Sequence, residues 1–285
     1  MSGKIWCAFA LLMAVCLGGC RWGGETQGDE SAQDTTTVDS VSVQEQLSPE
    51  EEMLEEAALS PRVDELFDDF IYTFTRARGF RNSRIHFPVI VTAIDGTVRR
   101  ESSREWNDNM SFLNGEYTTR FYASAQQMSL DEDTTQVHAS VEKINLQDGT
   151  MTSYDFQKMR GKWMLTACRH QHIEASDMAD FLQFYTTFST DSAYRHESVS
   201  KNLHVSMMDP DQDDQKIDGV IQRDQFSAMC PEVPEGIITN IRYDTQSYAD
   251  SPTVLMQKTG QGNGMYESFT FEKGSNGWKL VNYEN

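Results

Sequence analysis

Basic residues are scarce in this chain of 285 residues: 24 Lys and Arg face 44 Asp and Glu, a formal charge of −20. A surplus of that sign repels phosphate, and no basic stripe interrupts it, so nucleic acid is excluded as a partner. Long apolar runs are missing too. Beyond the first twenty positions no stretch of 18 apolar residues occurs, which excludes a polytopic helical membrane fold. A complete catalytic set is the third absence. No Ser/His/Asp or Cys/His order is recognisable, and the sequence offers Cys168 no demonstrable base. What the chain does have is 38% hydrophobic and 11% aromatic residues, enough to bury a core. At roughly 100–200 residues per domain, the length allows one large domain or two modest ones.

The start, Met1 to Lys4, is short and positively charged, and Ile5 to Leu17 is a 13-residue apolar stretch. That is too short to span a bilayer comfortably and fits the apolar region of a signal peptide. It closes on Leu17-Gly18-Gly19-Cys20, which resembles the lipobox of bacterial lipoproteins. There, small residues fit the peptidase cleft and the Cys thiol takes the lipid. The resemblance implies removal of residues 1–19, lipid on Cys20 and the membrane itself as a partner. Arg21, in place of an Asp after the Cys, points to the outer membrane, with either face open. Cys7 and Cys16 leave with such a signal, so Cys168 and Cys230 remain. They can pair as a disulfide or stand as two separate buried thiols. The second reading is favoured because Cys168 ends a strand pattern and Cys230 lies beside Pro231.

Residues 21–64 hold 12 acids and 2 bases. Such a composition cannot offset chain entropy by burial and reads as a self-repelling tether. From residue 61 the chain repeats itself. Phe67-Asp-Asp-Phe70-Ile-Tyr-Thr-Phe74 returns 114 positions on as Phe181-Leu-Gln-Phe184-Tyr-Thr-Thr-Phe188, and Phe80-Arg81 returns as Tyr194-Arg195. At 115 positions, Phe156-x-Lys158-x-x-x-x-Trp163-x-Leu165 returns as Phe271-x-Lys273-x-x-x-x-Trp278-x-Leu280. Two long patterns in one order at nearly one spacing mark a duplication.

In the first copy Val63, Leu66, Phe67, Phe70, Ile71 and Phe74 make a helical apolar face, with Ser60 and Pro61 as cap and first turn. In the second, Ser176 caps and Met178, Phe181, Leu182, Tyr185 and Phe188 form the stripe. Phe stripes of this kind are core. Ile85-x-Phe87-x-Val89-x-Val91 is a period-two strand, answered by Val199 to Met207. Asp148-Gly149 and Asn263-Gly264 are type I′ hairpin signals at matching places. Each copy therefore opens on a helix and closes on an antiparallel sheet.

A helix on a strongly curved sheet, ending in a Lys…Trp-x-Leu strand, resembles the nuclear-transport-factor-two-like cone fold. The phrase Phe80-Arg81-x-x-Arg84-Ile85-x-Phe87-Pro88 is similar to a family of Bacteroidetes lipoproteins of unknown function built from such domains. The resemblance implies an α+β protein of two tandem cones, residues 60–173 and 174–285, after a signal at 1–19 and a lipidated tether at 20–59. In the second copy Lys201 and Asn202 stand where Phe87 and Pro88 would be, so any role of that pair belongs to the first copy alone. No activity comes with the resemblance, because the wider fold hosts isomerases, dehydratases and binding modules alike.

Polar groups between helix and concave sheet face would carry any chemistry of a cone. On a strand His170-x-His172 would put both imidazoles on one side, but no third ligand stands at metal spacing, and they read as linker histidines. Asp209-Pro-Asp211-Gln-Asp213-Asp214 fails the EF-hand pattern twice, with Asp214 in place of Gly and Val220 in place of Glu. No metal and no cofactor is expected. Gly260-x-Gly262-x-Gly264 runs from strand to strand and reads as a turn. Asp68, Asp69 and Asp180 fall off the Phe faces toward solvent, and His86 reads as a surface residue. Arg81 and Arg195, at equivalent positions, either brace the helix–sheet junction or line a pocket for an anion. The expectation is a lipid-anchored envelope protein that binds or scaffolds a small molecule or an envelope protein. The alternative is an isomerase, lyase or hydrolase working in one cone.

Overall fold

The computed structural model describes residues 53–285 except 55, 57, 108–109, 111–116, 210–214, 230–231, 245 and 261–263. The signal, Cys20, the tether up to residue 52, Cys230, the acidic loop 210–214 and Asn263 lie outside the described residues. The described residues form one compact unit. Among the described residues no helix is long and apolar enough to cross a membrane.

The first half opens on a 3-10 turn, Pro61–Asp64, where Ser60 Oγ accepts from the Arg62 amide at 3.3 Å. The expected single helix is broken here: Asp64 turns inward to Arg84, and the α-helix proper, α1, is Phe67–Arg76, followed by α2, Arg78–Ser83. Six strands follow: β1 (Ile85–Thr92), β2 (Val98–Glu101), β3 (Tyr117–Tyr122), β4 (His138–Asn145), β5 (Thr150–Met159) and β6 (Lys162–His172). The second half repeats the order with α3 (Ala179–Thr190), α4 (Ser192–Ser198), β7 (Val199–Met208) and β8 (Lys216–Gln222). It continues with a helix α5 (Arg223–Met229), then β9 (Ile237–Tyr243), β10 (Thr253–Gly260), β11 (Tyr266–Gly274) and β12 (Gly277–Glu284).

The strands make two curved six-stranded sheets, β2-β1-β6-β5-β4-β9 and β8-β7-β12-β11-β10-β3. The orders match position by position, but the last strand of each sheet comes from the other half. β9 pairs with β4 (Ser140 opposite Arg242) and β3 pairs with β10 (Leu255 opposite Tyr122). The exchanged strands also meet each other. Thr119 N donates to Thr239 Oγ1 at 3.1 Å, and Thr239 N donates to Thr119 Oγ1 at 2.9 Å. Each hydroxyl then donates to the other residue's carbonyl, at 2.6 and 3.2 Å. That reciprocity belongs to a twofold interface, here within a single chain.

The duplication reaches the irregularities. β5–β6 slips register between Asp155 and Phe156, and β11–β12 slips between Thr270 and Phe271. One pairing in each sheet, β1–β6 and β7–β12, is parallel, which corrects the expectation of a purely antiparallel sheet. Periodicity tells which residues face the core but not strand direction. β1 and β6 are joined through the intervening strands, the long crossover that parallel neighbours need. The β4–β5 turn also departs from type I′. Its register, Asn145 opposite Thr150, leaves four residues, of which Gly149 alone has a positive φ, +64°. Leu146 folds into the second core and lengthens the turn. The two-residue type I′ turn is Arg160-Gly161, with φ of 51° and 79° between Met159 and Lys162.

Aromatic rings fill the space between helix and sheet in both halves. Phe67, Phe70 and Phe74 interlock with Phe156, at centroid distances of 5.4, 5.5 and 5.2 Å, and Phe67 lies 5.0 Å from Trp163. Phe181, Phe184 and Phe188 do the same with Phe271, at 5.3, 5.8 and 5.2 Å, and Phe181 lies 5.2 Å from Trp278. Each buried ring stabilises by roughly 1.5–3 kcal/mol. The exchanged strands contribute across the halves: Ile241 and Tyr243 enter the first core, Phe121 the second.

Candidate functional site

Arg81 and Arg195 make one and the same contact. Arg81 Nη1 donates to Thr75 O and Arg195 Nη1 to Ser189 O, each at 2.9 Å. Each guanidinium thus ties the short second helix to a carbonyl at the end of the long one. Arg195 also lines a cavity of about 400 Å³ together with Glu232 and Glu235, two acids that disfavour an anion there. Asp68 is not simply solvated: its Oδ1 accepts from Arg120 Nη2 at 2.6 Å. His86 is exposed.

Sequence reasoning passed over Arg84. Its Nη1 and Nη2 donate to Asp64 Oδ1 and Oδ2 at 2.8 and 2.9 Å, and Asp64 Oδ1 also accepts the Trp163 amide at 2.9 Å. Both side chains are buried, and the guanidinium lies 4.5 Å from the Phe80 ring centroid. The pair joins the opening turn, the start of β1 and β6. Its only sequence signal was the place of Arg84 within the Phe80-Arg81-x-x-Arg84 phrase.

His170 and His172 stand on β6 itself, not in a linker. Strand pleating puts residues two apart on one face, and this brings His170 Nε2 to 3.7 Å from Cys168 Sγ. The other ring nitrogen, Nδ1, lies 3.0 Å from Thr152 Oγ1. Cys168 therefore has an imidazole beside it after all, in a cavity of about 580 Å³ shared with Arg99, Glu101 and Trp106. Among the described residues no group of three or more His, Cys, Asp or Glu could hold a metal ion.

A polar cleft of about 540 Å³ lies on the outer face of the first sheet. Along β4, Ala139 and Val141 turn to the aromatic core, so Ser140 and Glu142 point the other way. Cross-strand pairing then lays out two polar rows: Arg242–Ser140–Asp155, and Asn240–Glu142–Ser153–Arg169. Glu142, 4% exposed, lies 3.0 Å from Arg242 Nε and accepts from Asn240 Nδ2 at 2.8 Å. Arg242 Nη1 and Nη2 donate to the two oxygens of Asp177 at 3.0 and 2.8 Å. Asp155 accepts from Ser140 Oγ at 2.7 Å and Arg169 Nη2 at 3.1 Å. His138 Nδ1 lies 2.9 Å from Asp244. Burial raises the Glu142 pKa above its ordinary value against the pull of Arg242 and Asn240. Burial acts upward on Asp177 too, but the Arg242 hydrogen bonds and the Tyr248 amide outweigh it and hold that carboxyl below its usual value.

At identical registers the second sheet carries Tyr122–Leu255–Thr270 and Arg120–Gln257–Ser268–Glu284. At β3 Asp131 Oδ2 takes Arg120 Nη1 at 2.9 Å and the Tyr122 hydroxyl at 2.5 Å, and toward the other edge Lys216 of β8 pairs with Glu284. The cleft was missed in the sequence because it needs Asp177 and Arg242 beside the strands of the first half.

Two curved sheets carrying helices make this a mixed α+β protein of NTF2-like fold. A crystal structure of an NTF2-like protein from Bacteroides fragilis is similar, with a TM-score of 0.71 and 27% identity, over 78% of this chain and 96% of that one. The chain belongs to the family described as a domain of unknown function, DUF4348, which matches residues 46–285. No curated protein matches the chain.

Proposed function

We propose that this is a lipid-anchored protein of the bacterial envelope in which two tandem NTF2-like units, joined by strand exchange, act as a binding or scaffolding module. The filling of both helix–sheet interiors by Phe and Trp rings carries the binding reading. A catalytic cone needs space with an acid, imidazole or phenol at its floor. Here rings take up most of that space: the charged groups enclosed with them, Lys258–Glu267 beside the Tyr283 hydroxyl and Asp64–Arg84, are locked in ion pairs, and the polar cleft lies on an outer face. The apolar stretch ending at Leu17-Gly18-Gly19-Cys20 supports the anchor, Arg21 supports the outer membrane, and acidic residues 21–64 suit a spacer.

Fractionation with labelled palmitate tests the anchor. The wild-type chain should take label and sediment with membranes, and Cys20→Ala should do neither. Membrane retention of the variant would contradict the anchor.

One observation favours a second reading, an enzyme of hydrolase type: the line Thr152–His170–Cys168, with the imidazole between hydroxyl and thiol. Iodoacetamide labelling of the folded chain, mapped by mass spectrometry, decides its worth. Alkylation of Cys168 faster than that of free cysteine supports an activated thiol, and protection removes this reading.

A further inference from the structure

Both arginines of the outer cleft of the first sheet are already paired with carboxylates, and its histidine lies beside one. Glu142 and Asp177 hold Arg242, Asp155 holds Arg169, and Asp244 holds His138. An anion would meet these carboxylates against only two guanidinium groups. Three of the carboxylates, Glu142, Asp177 and Asp155, are held by arginines at 2.8–3.1 Å, and no group of three or more His, Cys, Asp or Glu among the described residues could hold a metal ion. What the cleft has left over is neutral hydrogen-bonding capacity. Carboxylate oxygens keep free lone pairs, and the half-exposed Arg169 keeps free N–H groups. Ser140 and Thr166 give their hydroxyl protons to Asp155, at 2.7 and 3.2 Å, and keep acceptor lone pairs, while Gln171 can donate and accept. Gln246, buried at the wall, has an Nε2 without a partner among the described residues.

A hydroxyl is the ligand group that needs a donor and an acceptor side by side. Neighbouring hydroxyls on a ring suit an acid beside a guanidinium, as at Asp155 and Arg169. The volume, about 540 Å³, falls within the ~300–1,000 Å³ of small-ligand clefts. The sheet gives it a rigid floor, and the exposed Ala175 offers contact to a C–H face. From this geometry we infer that the cleft binds a neutral polyhydroxylated ligand, a short uncharged glycan. The inference rests on the binding-module reading and gives that module a ligand class.

The duplication supplies the control. At the same register the second sheet carries Leu255 for Ser140 and Thr270 for Asp155. The double change Ser140→Leu with Asp155→Thr therefore writes onto the first face a combination that the second face already accommodates. The full chain is titrated calorimetrically with maltotriose and N-acetylchitotriose, and with sialyllactose and a capped tripeptide as controls. A neutral trisaccharide should saturate the chain. The double variant should bind about tenfold more weakly or worse with its unfolding midpoint kept, while Leu255→Ser binds as the wild type does. Gln171→Ala, a smaller change in the same cleft, should shift affinity in the same direction and serves if the double variant unfolds. Failure of both neutral trisaccharides, tighter binding of sialyllactose, or unchanged affinity in the folded variants overturns the inference. Saturation by the tripeptide alone overturns the glycan but leaves the binding module standing.

Discussion

The two halves of the molecule share register, bulge and exchanged strand, yet they fasten helix to sheet by different means. In the first, the buried Arg84–Asp64 pair clamps the opening turn to β1 and to the Trp163 amide. Trp163 Nε1 has no partner among the described residues. In the second, Met178 and Ser198 take the places of Asp64 and Arg84 at the 114-residue offset. There Trp278 Nε1 donates to Asp180 at 2.7 Å, and Asp180 pairs with Lys273 at 2.8 Å near the surface. The rings that fill the cores and the Arg81 and Arg195 ties between helices are kept in both halves, while the polar bonds from helix to sheet have diverged. The outer faces repeat the lesson: an ion-paired cleft on one sheet, Leu255 and Thr270 on the other.

The largest test of this contrast is Arg84→Ala. It leaves Asp64 as an uncompensated buried charge and should cost about 3–5 kcal/mol, whereas Ser198→Ala should stay within ~1 kcal/mol. Urea unfolding measures both, and equal losses would erase the difference between the halves. Next comes the pseudo-twofold contact, where the halves are alike. Thr119→Val and Thr239→Val each strand buried backbone groups of the partner strand and should each cost about 1–3 kcal/mol. A marked inequality between them would break the twofold reading.

Glu142 offers a pH test, because its counterpart Gln257 carries no charge. Its folded pKa is raised by burial. Its contribution is therefore fully present below the ordinary glutamate range and is lost as pH rises through the raised value. The Tm of the wild type, measured against Glu142→Gln across the acid range, should fall relative to the variant as pH increases. Arg242, Asn240, Asp177 and Asp155 surround the group and are common to both proteins. A parallel pair of Tm curves would remove Glu142 as their source. The smallest effect is expected at Lys273→Ala, an exposed pair worth ~0.2–1 kcal/mol and weakened by salt.

Much of this architecture was legible because it is periodic. The stripes Phe67–Phe70–Phe74 and Phe181–Phe184–Phe188, the alternation in β1 and the repeat itself all follow from spacing along one chain. Partner choice does not. No local pattern says that Tyr117–Tyr122 pairs with β10 rather than β4, or that β1 runs parallel to β6. Asp64 reaches Arg84 and the Trp163 amide across 20 and 99 positions, so neither contact leaves a local trace. Cys168 and His170 were legible in hindsight, since a strand brings such neighbours together. Asp148-Gly149 misled because the burial of Leu146, a tertiary contact, overrode local turn preference.

Exchange of β3 and β9 makes the two halves a single folding unit, and a chain labelled with fluorotryptophan tests this most directly. Fluorine NMR through a urea titration follows Trp163 in the first core and Trp278 in the second separately. Strand exchange predicts that both resonances convert at one midpoint, and that Arg84→Ala, made in the first half, lowers both midpoints equally. Loss of the Trp163 signal at low urea while Trp278 keeps its wild-type midpoint would contradict it.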